Sequence, residues 1–180
     1  MAACLLMAAL SVCAQTREQD SLRVVNLQEV EVISTRATSS TPVAFTNIGK
    51  EQLKKQNFGQ DLPYLLSMTP TSDAGAGVGY TTLRVRGTDG TRINVTANGI
   101  PINDAESHTV FWVNLPDFAS SVKDMQVQRG AGTSTNGAGA FGASINMQTG
   151  DFSMEPYAEF NGSYGSFNTH KETVKVETGL

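Results

Sequence analysis

Ile93-Asn94-Val95-Thr96-Ala97-Asn98-Gly99-Ile100-Pro101-Ile102 is the stretch on which the reading of the fold turns. Ile93, Val95 and Ala97 alternate with Asn94 and Thr96, the period of a strand with one buried face. Asn98-Gly99 follows. Asn-Gly between alternating apolar residues marks a two-residue hairpin, because both turn positions need a positive φ. Pro101 has no N–H for a ladder, so the return strand must be short or lie at a sheet edge.

Upstream, the same period holds from Thr81. Leu83 and Val85 point one way, and Arg84 and Arg86 the other. Asp61 is expected to cap a helix that holds Leu62, Leu65 and Leu66, with Pro63 in its first turn and Pro70 at its end. A helix is predicted over Lys50–Gln56, closed by Asn57-Phe58-Gly59, and a short strand over 43–48. Residues 75–79, Gly-Ala-Gly-Val-Gly, read as a flexible loop.

Downstream, Leu115-Pro116-Asp117 opens a short helix to Val122, with Asp117 as its cap. Met125 and Val127 alternate with Gln126 and Gln128 in a strand ending at Arg129-Gly130. A loop rich in Gly, Ser, Thr and Asn runs to Gly142, and 144–149 is another strand with Ile145 and Met147 on one face. Residues 41–150 therefore read as a small α+β domain: a mixed, mostly short-stranded sheet with short helices. Loops this long are unusual in a compact soluble domain and predict packing against something else.

After Gly150 the pattern changes. Ala158, Phe160, Gly162 and Tyr164 alternate with Glu159, Asn161 and Ser163; Val174 and Val176 alternate with Lys175 and Glu177. This dyad repeat is the pattern of transmembrane β-barrel strands, and also of any surface hairpin. It stops in mid-pattern at Leu180, so 151–180 is read as the first strands of a truncated barrel.

Residues 1–14 are apolar and end in small residues, a signal peptide with Val12 and Ala14 at the cleavage site. They lack a Lys or Arg n-region, as a start codon placed too late would leave them. Lipidation at Cys13 fits less well, because Val12 precedes it. Residues 15–40 read as a flexible segment containing a strand-like island, 27–35, where Val30 and Val32 alternate with Glu29 and Glu31. The island is either the domain's first strand or a peptide that pairs with another protein's sheet edge.

Composition excludes several classes. The 13 Lys+Arg and 17 Asp+Glu are scattered, without the basic footprint of a nucleic-acid binder. Both Cys, Cys4 and Cys13, fall in the signal stretch, so the mature chain has no disulfide framework, zinc site or thiol nucleophile. Residues 137–142 spell G-x-G-x-x-G, but a dinucleotide site needs a strand just before it and a helix just after it, and here a strand follows. Ala138 stands where a P-loop needs Lys. His108 and His170 lack metal-ligand spacing, and Asp104, Glu106 and His108 read as a solvated loop. The expectation is no catalytic residue, no cofactor and no metal. Arg84, Arg86, Arg92 and Arg129 are either solvated charges or partners for a surrounding wall.

Five segments in order, Leu83-Arg84-Val85-Arg86-Gly87, 98–104, Leu115-Pro116-Asp117 with Ser120-Ser121-Val122, Val127-Gln128-Arg129-Gly130, and 139–146 with Thr149, resemble the plug motifs of TonB-dependent outer-membrane receptors, in wording of the Bacteroidetes type. The resemblance spans about 34–150, and 27–33 resembles a TonB box. It implies a plug inside a barrel of about 22 strands. It further implies that Glu29, Val30, Glu31, Val32 and Ile33 bind the periplasmic TonB protein. Arg84, Arg86 and Arg129 would contact the barrel wall. Substrate would bind on the extracellular side, on plug apices and barrel loops, at residues left unassigned. The implied activity is energy-coupled uptake of an iron chelate (siderophore or haem) or cobalamin. The alternative is a secreted or periplasmic binding module without a barrel.

Overall fold

The computed structural model describes residues 36–132, 136, 139–150 and 153–179. The expected signal peptide and the segment carrying Glu29, Val30, Glu31, Val32 and Ile33 lie outside the described residues.

The strands are β1 (Ala44–Gly49), β2 (Ser72–Ala74), β3 (Leu83–Val85), β4 (Ile93–Ala97), β5 (Ile100–Pro101), β6 (Val122–Arg129), β7 (Ala143–Thr149), β8 (Tyr157–Tyr164) and β9 (His170–Glu177). Two α-helices are described, α1 (Lys50–Gln56) and α2 (Leu62–Ser67). The main sheet has the order β1-β6-β7-β4-β5. It is mixed: β4 and β7 run parallel and the other pairs antiparallel. β5 is two residues long and lies at the edge, as Pro101 requires. Asn98 and Gly99 take φ values of 51° and 79°, the positive pair a hairpin turn needs.

One face of the sheet is apolar. Ile48, Met125, Val127, Ile145, Met147, Ile93 and Val95 are buried there, with Leu53 of α1, the leucines of α2 and Trp112 in the same core. The other face is polar and also buried, which strand alternation alone does not foretell. Gln126, Gln128, Ser144, Asn146 and Thr96 are all under a tenth exposed. Side-chain amides can both donate and accept, so they can satisfy one another there. Gln128 Nε2 donates to Gln126 Oε1 (2.8 Å), and Gln126 Nε2 to Asn47 Oδ1 (2.8 Å). Gln126 also grips the backbone of Ala37, accepting its N–H (2.7 Å) and donating to its carbonyl (2.9 Å). Beside it, the Arg36 guanidinium pairs with the Asp124 carboxylate.

Four local expectations need correction. Arg84 and Arg86 do not share a strand face: β3 ends at Val85, and Arg86 and Gly87 have φ of 52° and 78°. They form a tight turn closed by Thr88 N–H to Val85 O (3.0 Å) and Val85 N–H to Thr88 O (3.2 Å). Asp61 precedes α2, but its side chain does not cap it; Oδ2 accepts the Gly79 N–H (2.7 Å), while the Asp61 N–H donates to Gly77 O (2.8 Å). The glycine loop is thus pinned at two points, and the chain around it pairs β2 with β3. The segment after Asp117 is a 3-10 helix, Phe118–Ser121, and Asp117 has φ 50°.

β8 and β9 pair antiparallel. Ala158 faces Val176 and Phe160 faces Val174, while Glu159 faces Lys175, Asn161 faces Thr173 and Ser163 faces Lys171. The hairpin is therefore amphipathic. Phe160, Tyr164, Val174 and Val176 are 68–79% exposed on its apolar face. Among the described residues, no helix is long and apolar enough to cross a membrane, which says nothing of strands.

Candidate ligand cleft and wall contacts

A cleft of about 340 Å³ opens between three stretches: 80–84, the turn and strand from Asp89 to Val95, and 109–113. That size suits part of a small-molecule ligand. Ile93 and Val95 of β4 form an apolar floor with buried Trp112, held by a short 3-10 helix, Trp112–Asn114. Tyr80 and Phe111 stand at the walls, 88% and 48% exposed. Thr81 is 8% exposed and its Oγ1 has no hydrogen-bond partner. A buried hydroxyl left unpaired is costly.

Asn103 sets the third wall. Its Oδ1 accepts from Val95 N–H (2.8 Å), and its Nδ2 donates to Ile93 O (2.9 Å) and His108 O (3.0 Å). The amide thus substitutes for a neighbouring strand along β4 and ties down the loop that leads to Thr109–Val113. Within that loop Asp104 Oδ2 accepts from the Ser107 N–H (2.7 Å), the Ser107 hydroxyl (2.8 Å) and the Glu106 N–H (3.2 Å). These bonds hold the Asp104 carboxyl below the usual range, with the Ser107 N–H contributing most. The loop satisfies itself, and among the described residues no group of three metal-binding side chains occurs.

Arg84 lines the cleft, opposite Asp89. Asp89 accepts from the Thr91 hydroxyl and N–H, which lower its pKa first; Arg92 and then Arg84 lower it further. Arg86 and Arg129 are brought together instead. Arg86 Nη1 lies 3.7 Å from where a Cβ on Gly130 would sit. Arg129 is 8% exposed; its Nε donates to Pro70 O (3.0 Å) and its Nη2 has no partner. Burial first, and then the nearby Arg86 charge, push the Arg129 pKa down. The nucleotide-like glycine run has a structural explanation. It leads straight into β7, and a Cβ on Gly142 would stand 2.8 Å from Arg92 O, so only glycine fits.

A second set of polar contacts was not visible in the sequence. Lys171 Nζ of β9 reaches Asp117 Oδ1 (2.7 Å) and Ser120 Oγ (2.8 Å). Asn57 Nδ2 donates to the same Asp117 oxygen (2.9 Å). Lys175 Nζ donates to Ser120 O (2.6 Å), and Lys54 of α1 pairs with Glu159 of β8 (2.5 Å). The hairpin's polar face thus sits on the small domain and its apolar face turns away. The one local signal was Asp117 inside the Leu-Pro-Asp run.

A small mixed sheet with long, pinned loops, followed by an amphipathic hairpin seated on it, is the class of domain that plugs a transmembrane barrel. Over residues 37–144 the sequence matches the family described as the TonB-dependent Receptor Plug Domain, and the chain belongs to that family, whose place is the cell outer membrane. No curated protein sequence matches the chain. Among solved structures it is similar to the ferric yersiniabactin uptake receptor FyuA from Yersinia pestis, 16% identical, covering 81% of this chain and 23% of that one, with a TM-score of 0.60. P. aeruginosa FpvA bound to pyoverdines is 19% identical over 78% of this chain and 18% of that one, with a TM-score of 0.60. The copper transporter OprC is 18% identical over 78% and 22%, with a TM-score of 0.58. At these identities the likeness shows the fold, that of the plug and the start of the barrel. The chain spans roughly a fifth of the length of these structures.

Proposed function

We propose that this chain is the plug and first barrel strands of an outer-membrane receptor that takes up a scarce nutrient by energy coupling. The substrate is an iron chelate, a siderophore or haem, or cobalamin. The fold is shared with a ferric yersiniabactin uptake receptor, FyuA, and with FpvA bound to pyoverdines. The observation that carries the reading is the seating of the hairpin. Its polar face is bonded to the plug through Lys54, Asp117 and Ser120, while Phe160, Tyr164, Val174 and Val176 face outward. A secreted or periplasmic module without a barrel would present that apolar face, and an open strand edge, to water.

In this reading the ligand enters between Tyr80 and Phe111. Glu29 to Ile33 then pair as a strand with the periplasmic TonB protein, whose pull rearranges the plug. Arg84, Arg86 and Arg129 face the wall or the cleft mouth and hold carboxylates there. The test is Val32→Pro in the complete receptor. Proline removes one backbone donor from the pairing strand, so uptake of a radiolabelled ferric chelate should stop while its binding to cells persists. Normal uptake by that variant would overturn the reading.

A further inference from the structure

The two faces of the hairpin change differently along its length. Toward the plug every rung is polar: Glu159 faces Lys175, Asn161 faces Thr173 and Ser163 faces Lys171. Lys171 and Lys175 are bonded to Asp117 and Ser120, which fixes this face as the inner one. The outer face changes character halfway. Its first two rungs, Ala158 with Val176 and Phe160 with Val174, are apolar. The third is Gly162 with Glu172, and the fourth is Tyr164 with His170. Phe167 follows in the turn and is fully exposed.

Strand alternation puts Glu172 on the side of Val174 and Val176. All three are exposed, while Lys171, Thr173 and Lys175 between them are half-buried against the plug. Among the described residues the Glu172 carboxylate meets no donor, and the His170 ring meets only the Asn168 carbonyl of the turn (3.2 Å). A carboxylate without a protein partner needs water, and moving it into hydrocarbon is costly. On the lipid face of a barrel strand that cost is greatest at the bilayer midplane and least at the interface. Tyr164 suits the same place, because rings with one polar end collect where hydrocarbon meets headgroups. A Cβ on Gly162 would lie 3.6 Å from the Phe160 ring. The ring thus covers the glycine rung, and the apolar band ends there.

We propose that, in the barrel of the uptake reading on which this inference rests, the edge of the hydrocarbon layer crosses the first hairpin between Val174 and Glu172. Ala158, Phe160, Val174 and Val176 face acyl chains. Tyr164, Phe167, His170 and Glu172 face the lipid headgroups and their water. The outer surface is thus fitted to one partner, a bilayer whose phosphate-bearing headgroups begin at the rung of Gly162 and Glu172. Rungs on one face are about 6.8 Å apart along the strand, so a single rung separates the two environments.

Labelling position by position tests this. Val176→Cys, Val174→Cys, Glu172→Cys and His170→Cys are made singly in a complete receptor free of other cysteines. Each variant carries a nitroxide and is reconstituted in phosphatidylcholine vesicles. Relaxation by oxygen, which concentrates in hydrocarbon, is compared with relaxation by a water-soluble nickel chelate. The labels at 176 and 174 should respond more to oxygen and those at 172 and 170 more to nickel. A label at 172 that behaves like the one at 174 overturns the boundary. So does a label at 172 shielded from both reagents, since protein and not headgroups would then cover it. If the labels at 174 and 176 also favour nickel, the hairpin is not in lipid, and the barrel reading fails and the boundary with it. A second arm needs no label. Glu172→Lys should leave the yield of assembled receptor in the same vesicles within about twofold of the parent, while Val174→Lys lowers it several-fold. An equal effect of the two substitutions overturns the boundary.

Discussion

Arg129 brings a charge into a site where little of the residue is exposed and leaves one guanidinium nitrogen without an acceptor. A guanidinium stays protonated, so that nitrogen calls for an acceptor. We propose that the barrel wall supplies it. Arg129→Met should then change the unfolding free energy of this chain by no more than about 1 kcal/mol, because the lost bond to Pro70 is offset by removing a half-satisfied buried charge. In the complete receptor the same change should loosen the plug, seen as increased passage of large antibiotics. If the chain unfolds while the receptor stays tight, Arg129 is an internal structural residue. Asp89 offers a test of the cleft's own electrostatics. The Thr91 hydroxyl, above all, holds its carboxyl below the usual carboxylate range. A depressed carboxyl pKa adds stability that is complete above the unfolded value and disappears as the pH falls through the lower folded value. Thr91→Val should move the Asp89 midpoint up toward the usual carboxylate range, as followed by carboxyl carbon NMR; an unmoved midpoint would mean that the arginines dominate.

Among elements, the polar face of the sheet departs furthest from the simple reading of alternation. Met125 and Val127 are core, as their period predicts, yet Gln126 and Gln128 between them are 2% and 0% exposed. Residues 36–37 lie over the second face at Gln126, which receives their backbone, and Asn136 donates to Gln128 beside it. Gln126→Leu would leave the Ala37 N–H and carbonyl without partners. It should cost about 2 kcal/mol in urea unfolding of this chain, since a buried amide that loses its partner is penalised by about that much. No change in the midpoint would mean that residues 36–37 part from the sheet freely.

Across the whole molecule, the hairpin's apolar face is the one that lies against lipid in the uptake reading. The hairpin's apolar positions alternate with the lysines and the glutamate that bind the plug, so one strand faces both environments. Val174→Lys should therefore leave the plug's own unfolding unchanged and impair assembly of the complete receptor in lipid vesicles. The penalty is about 2–4 kcal/mol if the position lies near the bilayer midplane and less toward the interface. Unimpaired assembly would place Val174 away from lipid.

The amino-acid sequence by itself determined what depends on neighbours a few residues apart. The Asn98-Gly99 turn, the bounds of α1 at Lys50–Gln56, the edge position of Pro101 and the dyad period of the hairpin all follow from local φ preferences and side-chain period. The Arg86-Gly87 turn was missed although it is just as local, because arginine seldom takes a positive φ and the alternation of Leu83 to Arg86 mimics a longer strand. Only the tertiary structure decided which distant groups meet: Lys54 with Glu159, Asp117 with Lys171, Arg36 with Asp124, and the three stretches that enclose Thr81. Those meetings depend on how β4 comes to lie beside β7 and on how the hairpin folds back over α1. Such long-range pairings are set by the burial of the whole core and leave no periodic trace in the residues that make them.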